Sequence, residues 1–534
     1  MTTPQVLIVG AGPVGLMLAV ECRRHGVSFR IIDKTPGHSV YSKALAIWSG
    51  TLEHLAAAGL AETFLEASRP VRKMVMQDMG RLIAEIPFAE GLDSLYASPR
   101  ILPQSNTEQI LLAHLRNHGV EVERNVECVA VRCDAAGVTC DLQKPDGGVE
   151  TITVGWLAGC DGARSIARHS LPVDFTGVTE NTGFILADAK VSDGLPDDSI
   201  VFSSGPHAAV IIFPVKPGVW RFFGLRVHTD DRSQPTLEEI QRHVDDAGLS
   251  HLRLFDPEWL SYFGVNERVA SRNRVGRIFL LGDASHIHSP AGGQGMNTGL
   301  QDAFNLGWKL KLLASGQGDV ETIAESYFAE RHPVALKVVH ETSRLLHFAI
   351  ISNPVVREAK KVILPIVSEL ELFKKQASFE LSGLGISYSP GPLIEHDSRA
   401  FSHHGDLAPG SLARHIEVRK AGSSVSLWRE LLHPSHTLLL FSGPYPAEKA
   451  ATEISNSINQ FRGASLRCLV IWQAGVAPSS WNQDEILLDP DGTAHSRYGL
   501  TKPGWYLIRP DQYIAARGLQ SELSLLRDYL QKIQ

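Results

Sequence analysis

Apolar residues fall in blocks of changing period along this chain. Val6-Leu7-Ile8-Val9 is a continuous, mostly β-branched run, the pattern of a strand buried on both faces. The chain then passes through a glycine cluster. Leu16, Met17, Ala19 and Val20 follow at helical spacing, and Phe29-Arg30-Ile31-Ile32 reads as a second strand. Residues 1–175 keep alternating strand with helix and predict an α/β domain. From residue 176 the pattern shortens. Phe184-Ile185-Leu186-Ala187, the run from Ala209 to Pro214 and the run from Trp220 to Leu225 are separated by turns at Gly205-Pro206 and Lys216-Pro217-Gly218. This predicts an inserted antiparallel sheet over 176–264. The run from Arg277 to Leu281 returns the chain to its first domain, which residues 265–385 complete. A long helical region is expected from Gln301 to Phe379, marked by Val338, Val339, Leu345, Leu346 and Phe348. The Pro/Gly/Ser-rich stretch Ser387–Pro392 predicts a linker. Residues 393–534 alternate again, through Thr437–Phe441, Leu466–Trp472, Ile486–Asp489 and Gly504–Asp511. Strands and helices ending in a hairpin and a helix suit a thioredoxin-like fold for this C-terminal domain.

Composition narrows the class. A chain of 534 residues holds more than one domain. Its 43% hydrophobic and 20% charged residues fit a globular protein, and a net charge of −7 argues against nucleic acid as a partner. No apolar run reaches the roughly 18 residues of a membrane helix. The first strand starts at once, so no signal peptide is expected, and a cytoplasmic location is. The six cysteines (Cys22, Cys128, Cys133, Cys140, Cys160 and Cys468) form no CxxC pair. That excludes a disulfide reductase and leaves the C-terminal domain a packing role or the support of a homodimer. His286 and His288 stand near Asp283 without further ligands, so no metal is expected.

Three motifs carry the chemistry. In Gly10-Ala11-Gly12-Pro13-Val14-Gly15, Gly10 permits the tight turn after the strand, Gly12 the approach of a pyrophosphate, and Gly15 close packing of helix on strand. Asp33, at the end of the second strand, can accept bonds from ribose hydroxyls. The second motif, Cys160-Asp161-Gly162-Ala163-Arg164-Ser165, again follows a strand and puts Asp161 at its carboxyl end. In the third, a strand runs into Gly282-Asp283, then through a glycine-rich loop to a helix starting between Gly293 and Asn297. A helix N-terminus suits an oxygen that becomes negative, as the N1/C2=O edge of a flavin does on reduction.

In this order the motifs resemble those of the class A FAD-dependent aromatic hydroxylases, over about residues 4 to 345. The stretch Pro290-Ala291-Gly292-Gly293-Gln294-Gly295-Met296-Asn297 is the most specific part. Further matches are Ser42–Ile47, Thr51-Leu52-Glu53, Gln104 with Glu108, and Glu330-Arg331-His332-Pro333-Val334. The chain's length matches the branch of phenol and polyketide hydroxylases, which adds a thioredoxin-like domain. Lys43 stands where an arginine usually follows the serine. It keeps the charge but loses the planar fork. Ser49-Gly50 replaces a frequent Pro-Arg.

The resemblance implies a Rossmann-like FAD domain and hydroxylation of a phenolic ring by NADPH or NADH and O₂, through a flavin C4a-hydroperoxide. Baeyer–Villiger or polyketide-ring oxygenation on the same scaffold is an alternative within enzymes. A flavin-binding regulatory protein is the alternative outside them. By resemblance, Lys43 and Gln104 reach the phosphates or ribityl chain, and Gly282 and Asp283 the ribityl hydroxyls. Gly293, Gly295, Met296 and Asn297 hold the pyrimidine edge, Pro290 lies by C4a, and Asp161 and Arg164 serve FAD and the nicotinamide nucleotide. The substrate is expected between the FAD domain and the inserted sheet, against Trp48, Phe202, Ile212, Phe213, Phe222, Phe223 and Arg226. A sheet has two faces, so about half of these belong to a core instead. His286, Tyr262 and His207 are candidates for the base.

Overall fold

The computed structural model describes residues 4–534 apart from 39–41, 43, 228–231, 351–369, 397–400, 402–406, 445, 447, 462–465, 477 and 479–484. A six-stranded sheet stands at its centre, in the order Arg274–Val275, Ile278–Leu280, Trp156–Gly159, Val6–Val9, Phe29–Asp33, Glu123–Arg124. All neighbours are parallel except the edge pair at Arg274–Val275. Val6–Val9 is buried throughout, as a parallel strand covered on both faces must be. Period 2 divides it. Val6 and Ile8 join a core with the first helix, Pro13–Arg24, and the central helix, Gly295–Ser315. Leu7 and Val9 pack against the three-stranded sheet formed by residues 127–154.

The second sheet has eight strands, in the order His286–Ile287, Leu254–Ala270, Phe175–Val191, Val219–Val227, Ala209–Lys216, Ser199–Ser204, Lys73–Asp78, Arg81–Pro87. The inserted region therefore does not build its sheet alone: two strands come from residues 73–87, and one long strand runs on to Ala270. Lys73–Asp78 joins Ser199–Ser204 in parallel, a pairing that no tight turn announces. The cover helix Leu237–Asp246, whose first turn is capped by the Thr236 hydroxyl, packs on one face of this sheet.

A seven-stranded sheet occupies residues 417–519. Its centre, Ile486–Leu488, Leu466–Trp472 and His436–Phe441, is parallel, and Gly504–Ile508 and Ile514–Leu519 continue antiparallel. One apolar cluster runs from Leu16 through Phe304 and Trp308 to Leu438, Trp505 and Leu526, so this sheet shares its core with the central helix. The long helix Val320–Ile350 lies between them in sequence and carries Pro333 inside it.

Ser387–Pro392 differs from the expected linker. Tyr388 is buried, its ring stacks on Tyr513 with centroids 4.2 Å apart, and Gly391 bridges to Ile394. The proline and glycine bend the backbone, but Leu384, Tyr388 and Ile394 give it an apolar face that packs against Leu412 and Val334. Among the described residues no helix is long and apolar enough to cross a membrane.

Candidate active site

The three motifs stand at the carboxyl ends of three adjacent parallel strands, Val6–Val9, Trp156–Gly159 and Ile278–Leu280. They touch one another. A Cβ on Gly10, which has φ +99°, would strike the Cys160 carbonyl. A Cβ on Gly282, at φ +54°, would come within 2.9 Å of Val14 Cγ2. Nothing lies within 4 Å of the Cβ position of Gly12. Gly12 precedes Pro13 at the start of the first helix, and no side chain caps that start. Open space and unsatisfied N–H groups make a cradle for a pyrophosphate. Asp33 closes one end: its Oδ2 accepts the Ala11 N–H at 2.6 Å, and its Oδ1 accepts the Thr35 N–H at 2.8 Å.

The third motif makes a second cradle. Gly292 (φ +83°) and Gly293 (φ +62°) turn the chain through conformations that favour glycine, and the central helix starts at Gly295 without a side-chain cap. Asn297 braces this turn. Its amide donates to the carbonyls of Ala46 and Gly293 at 2.8 and 2.9 Å and accepts the Trp48 N–H at 3.0 Å. Its side chain is therefore committed to protein, and only its backbone N–H, like those of Gly295 and Met296, is left for a ligand at the helix start. Trp48 is part of the same brace, since its indole N–H donates to the Gly292 carbonyl. Asp283 and Pro290 are exposed along the loop.

Elsewhere the placement is mixed. Gln104 starts the helix Gln104–Asn117; its backbone N–H donates to the Ala44 carbonyl and its side chain to Glu108, while Lys43 lies outside the described residues. Asp161 Oδ2 accepts the Ala167 N–H in the first turn of a short helix, and Oδ1 is buried with no hydrogen-bond partner among the described residues. Arg164 is exposed. The neighbouring Arg168 is buried and clasps the second motif to the third, donating to the carbonyls of Ala163 and Ala284 at 2.8 and 3.1 Å.

The face of the eight-stranded sheet away from the cover helix carries Ile211 and Phe213, which pack with Ala46 and Trp48 beside the third motif. Phe213 and Phe223 meet edge to face at 5.6 Å, and Phe223 does the same with Phe184 and Phe263. Phe202 pairs with Ile211 across the strands and so shares that face. Three expected wall residues do not. Ile212 and Phe222 are buried with Ile240 and Val244 under the cover helix. Arg226 points the same way, bonded twice to Glu239 at 2.9 and 2.6 Å, with its guanidinium over Tyr262. One step along a strand reverses the face. Tyr262 lies with them and is withdrawn as a base, and His207 is exposed at the Gly205–Ala208 turn. His286 is withdrawn too: it is buried and its Nε2–H donates to Asp302 at 2.9 Å.

Arg221 was not anticipated. It is fully buried on the loop-facing side, paired with Asp188 at 2.6 and 2.7 Å, bonded to the Ser42 carbonyl, and stacked over Trp259. Its signal was present: a charge two residues before Phe223 in an alternating run shares the face of Phe223. His288 stands beside the start of the central helix, its ring 3.4 Å from the Cβ position of Gly295. Its Nδ1–H donates to the Ser289 carbonyl at 2.8 Å, and burial of the ring pushes it down to about 4, so it is neutral.

Residues 3–342 match the FAD binding domain family. The 6-methylpretetramide 4-monooxygenase of Streptomyces rimosus is 33% identical over 99% of this chain and 93% of its own length. The chain belongs to the FAD-dependent aromatic monooxygenases. The pentachlorophenol 4-monooxygenase of Sphingobium chlorophenolicum is 28% identical over 96% of this enzyme and 93% of itself. Among solved structures, the anhydrotetracycline hydroxylase OxyS of Streptomyces rimosus superposes with a TM-score of 0.75 at 26% identity, covering 100% of this monooxygenase and 99% of its own chain.

The residues present fit FAD, with two uncapped helix starts and a glycine cradle on one line of strands. Electrostatics at the third motif are set by Asp302. Burial alone would raise its carboxyl, but the adjacent Arg331 guanidinium and His286 outweigh this and hold it below the usual carboxylate range. Asp302 is therefore held ionised behind the loop, paired with Arg331 and accepting the Gly282 N–H.

Proposed function

We propose that this monooxygenase hydroxylates a polycyclic phenol of polyketide type. One oxygen atom of O₂ enters the ring, the other leaves as water, and NADPH or NADH supplies the electrons. The observation that carries this reading is the aromatic cluster Phe184, Phe213, Phe223 and Phe263, in which Phe213 also packs in the cluster of Ala46 and Trp48, the residues bonded to Asn297 and Gly292 of the loop. The names of the relatives, 6-methylpretetramide, anhydrotetracycline and pentachlorophenol enzymes, support a phenolic ring, and the full-length match to the first supports a polycyclic one.

In this reading Gly10, Gly12 and Gly15 hold the pyrophosphate, Asp33 the adenosine ribose, and Asp283 the ribityl chain. The backbone at Gly293–Asn297 would hold the pyrimidine edge, and Pro290 would line the side where the ring is oxidised. Bound FAD supplies the chemistry, accepting a hydride and activating O₂. The chain orients the ring and excludes water. An opening of about 540 Å³ beside Ala163, lined by Arg168, Asp174 and Arg268 among others, supports a nearby site for the nicotinamide nucleotide. We read the C-terminal sheet as a thioredoxin-like unit without a dithiol pair for redox chemistry. Cys468 is its only cysteine, and burial pushes its thiol up to about 11.

Purified protein treated with acid should release FAD. NAD(P)H oxidation should rise with a polycyclic phenol, and mass spectrometry should find the product richer by one oxygen atom. Release of FMN alone sinks the cofactor assignment. Oxidation that no phenol stimulates favours a flavin-binding regulator instead.

A further inference from the structure

Glu330 and Arg331 are neighbours on the long helix, and both are fully buried. Successive helical residues point about 100° apart, so the two charges enter different clusters. Glu330 receives Arg509 at both oxygens, 2.8 Å each, and Lys309 at 2.8 Å. Arg331 spreads its guanidinium over three acceptors: Asp302 Oδ1 at 2.7 Å, the Thr298 carbonyl at 3.0 Å and Tyr388 Oη at 3.3 Å. The other oxygen of Asp302 takes the Gly282 N–H at 3.1 Å and His286 Nε2–H at 2.9 Å. Arg331 is thus one side chain away from the turn that opens the flavin loop. Its outer end is held by Tyr388, which stacks on Tyr513, the residue just before the last strand of the C-terminal sheet, and lies under Arg509.

This wiring joins three parts of the chain to one backbone N–H. Gly282 stands where the strand ends, at φ +54°. Thr298, whose carbonyl Arg331 also holds, lies in the first turns of the central helix. Arg331 therefore fixes the loop at its entry and at its exit. A planar guanidinium can span such spaced acceptors with donors on three nitrogens, whereas a lysine carries all its donors on one compact ammonium and loses that reach.

We propose that Arg331 is a positioning residue for the flavin: through Asp302 and Thr298 it sets the entry and exit of the Gly282–Asn297 loop, and Tyr388 and Tyr513 tie that setting to the C-terminal sheet. The proposal rests on the FAD reading above. Helix N–H groups favour a flavin that has gained negative charge over the neutral one. A loop out of register then loses affinity for reduced FAD more than for oxidised FAD, and the midpoint potential falls. A tenfold change in that affinity ratio is about 30 mV for a two-electron couple.

The test uses full-length, FAD-loaded protein carrying Arg331→Lys or Tyr388→Phe. Midpoint potential is measured by equilibration with a reference dye, beside FAD affinity and melting temperature. Arg331→Lys should lower the potential by about 30 mV or more, a tenfold change in the ratio. Tyr388→Phe, which removes one hydroxyl, should lower it by less, and the double variant should add little. A lower melting temperature with wild-type potential in both variants overturns the proposal and leaves Arg331 a purely structural residue. If Arg331→Lys does not fold, Tyr388→Phe decides alone, and an unshifted potential overturns the proposal. Wild-type protein that binds no FAD is a different result, and it removes the cofactor reading itself.

Discussion

Val14 and Gly299 touch across the first and third motifs: a Cβ placed on Gly299 would lie 2.6 Å from Val14 Cγ2 and 3.2 Å from the Gly282 backbone. The first helix and the central helix meet at this contact, so the two cradles keep their spacing only while both positions stay small.

Gly299→Ala should therefore cost about 1–3 kcal/mol, the usual range for overpacking, and should lower FAD occupancy. Val14→Ala should relieve most of the side-chain clash. A double-mutant cycle on urea midpoints checks this. Strict additivity of the two substitutions would show that they do not meet.

Asp283 and Asp161 should separate in their effects. Asp283 is exposed on the loop, where a ligand can reach it, and loss of a charge-assisted bond costs roughly 1.5–3 kcal/mol. Asp283→Ala should weaken FAD binding at least about tenfold by the same scale. Asp161 instead accepts the Ala167 N–H. Asp161→Ala should cost stability by about 1 kcal/mol, as a lost helix cap does, with a smaller change in FAD affinity. Fluorescence titration of apoprotein with FAD decides; equal affinities for wild type and Asp283→Ala refute the role of Asp283.

The two faces of the strands at 209–227 give opposite expectations for similar substitutions. Phe213→Ala and Phe223→Ala should change which phenol stimulates NAD(P)H oxidation and should raise hydrogen peroxide release, because a loosely held ring is misplaced for transfer. Phe222→Ala, under the cover helix, should cost about 3–5 kcal/mol and leave preference unaltered. Melting curves and a phenol panel on all three variants test this. A changed preference in Phe222→Ala alone would invert the assignment of faces.

Stability should fall as the solution is acidified below the ordinary histidine range. Burial holds His288 at about 4 and His436 at about 3, against an ordinary value of 6.5. Between pH 6.5 and 4 the unfolded chain takes up protons at these rings that the folded chain refuses. Stability from this source is complete above pH 6.5 and is lost as pH falls toward the folded values. His436→Gln removes one ring and keeps a group able to bond Tyr529, so its urea midpoint should depend less steeply on pH across this window. An unchanged slope would count against buried neutral His436.

Much of the site was legible because its signals are local. A strand ending in glycine, then a helix, is written in consecutive residues, and the Gly10–Gly15 turn, Asp33 and the Gly282–Asn297 loop could all be named from it. What the Asn297 side chain does could not be read there, since its partners Ala46 and Trp48 lie far away in sequence. Ser387–Pro392 was misread as a linker because its turn-forming residues are local, whereas the ring that Tyr388 stacks on, Tyr513, is distant.

By itself the sequence determined the strand and helix periods, the three glycine turns and their order, because backbone conformation and apolar period are properties of neighbouring residues. The tertiary structure alone decided which apolar face of the inserted sheet meets the loops, since alternation makes two faces and labels neither. It also recruited residues 73–87 into that sheet and brought two adjoining buried groups together, Asp302 with Arg331 and Glu330 with Lys309 and Arg509. Charges are found buried when they are paired, and these partners come from three separate segments, so the two groups exist only once the chain has folded.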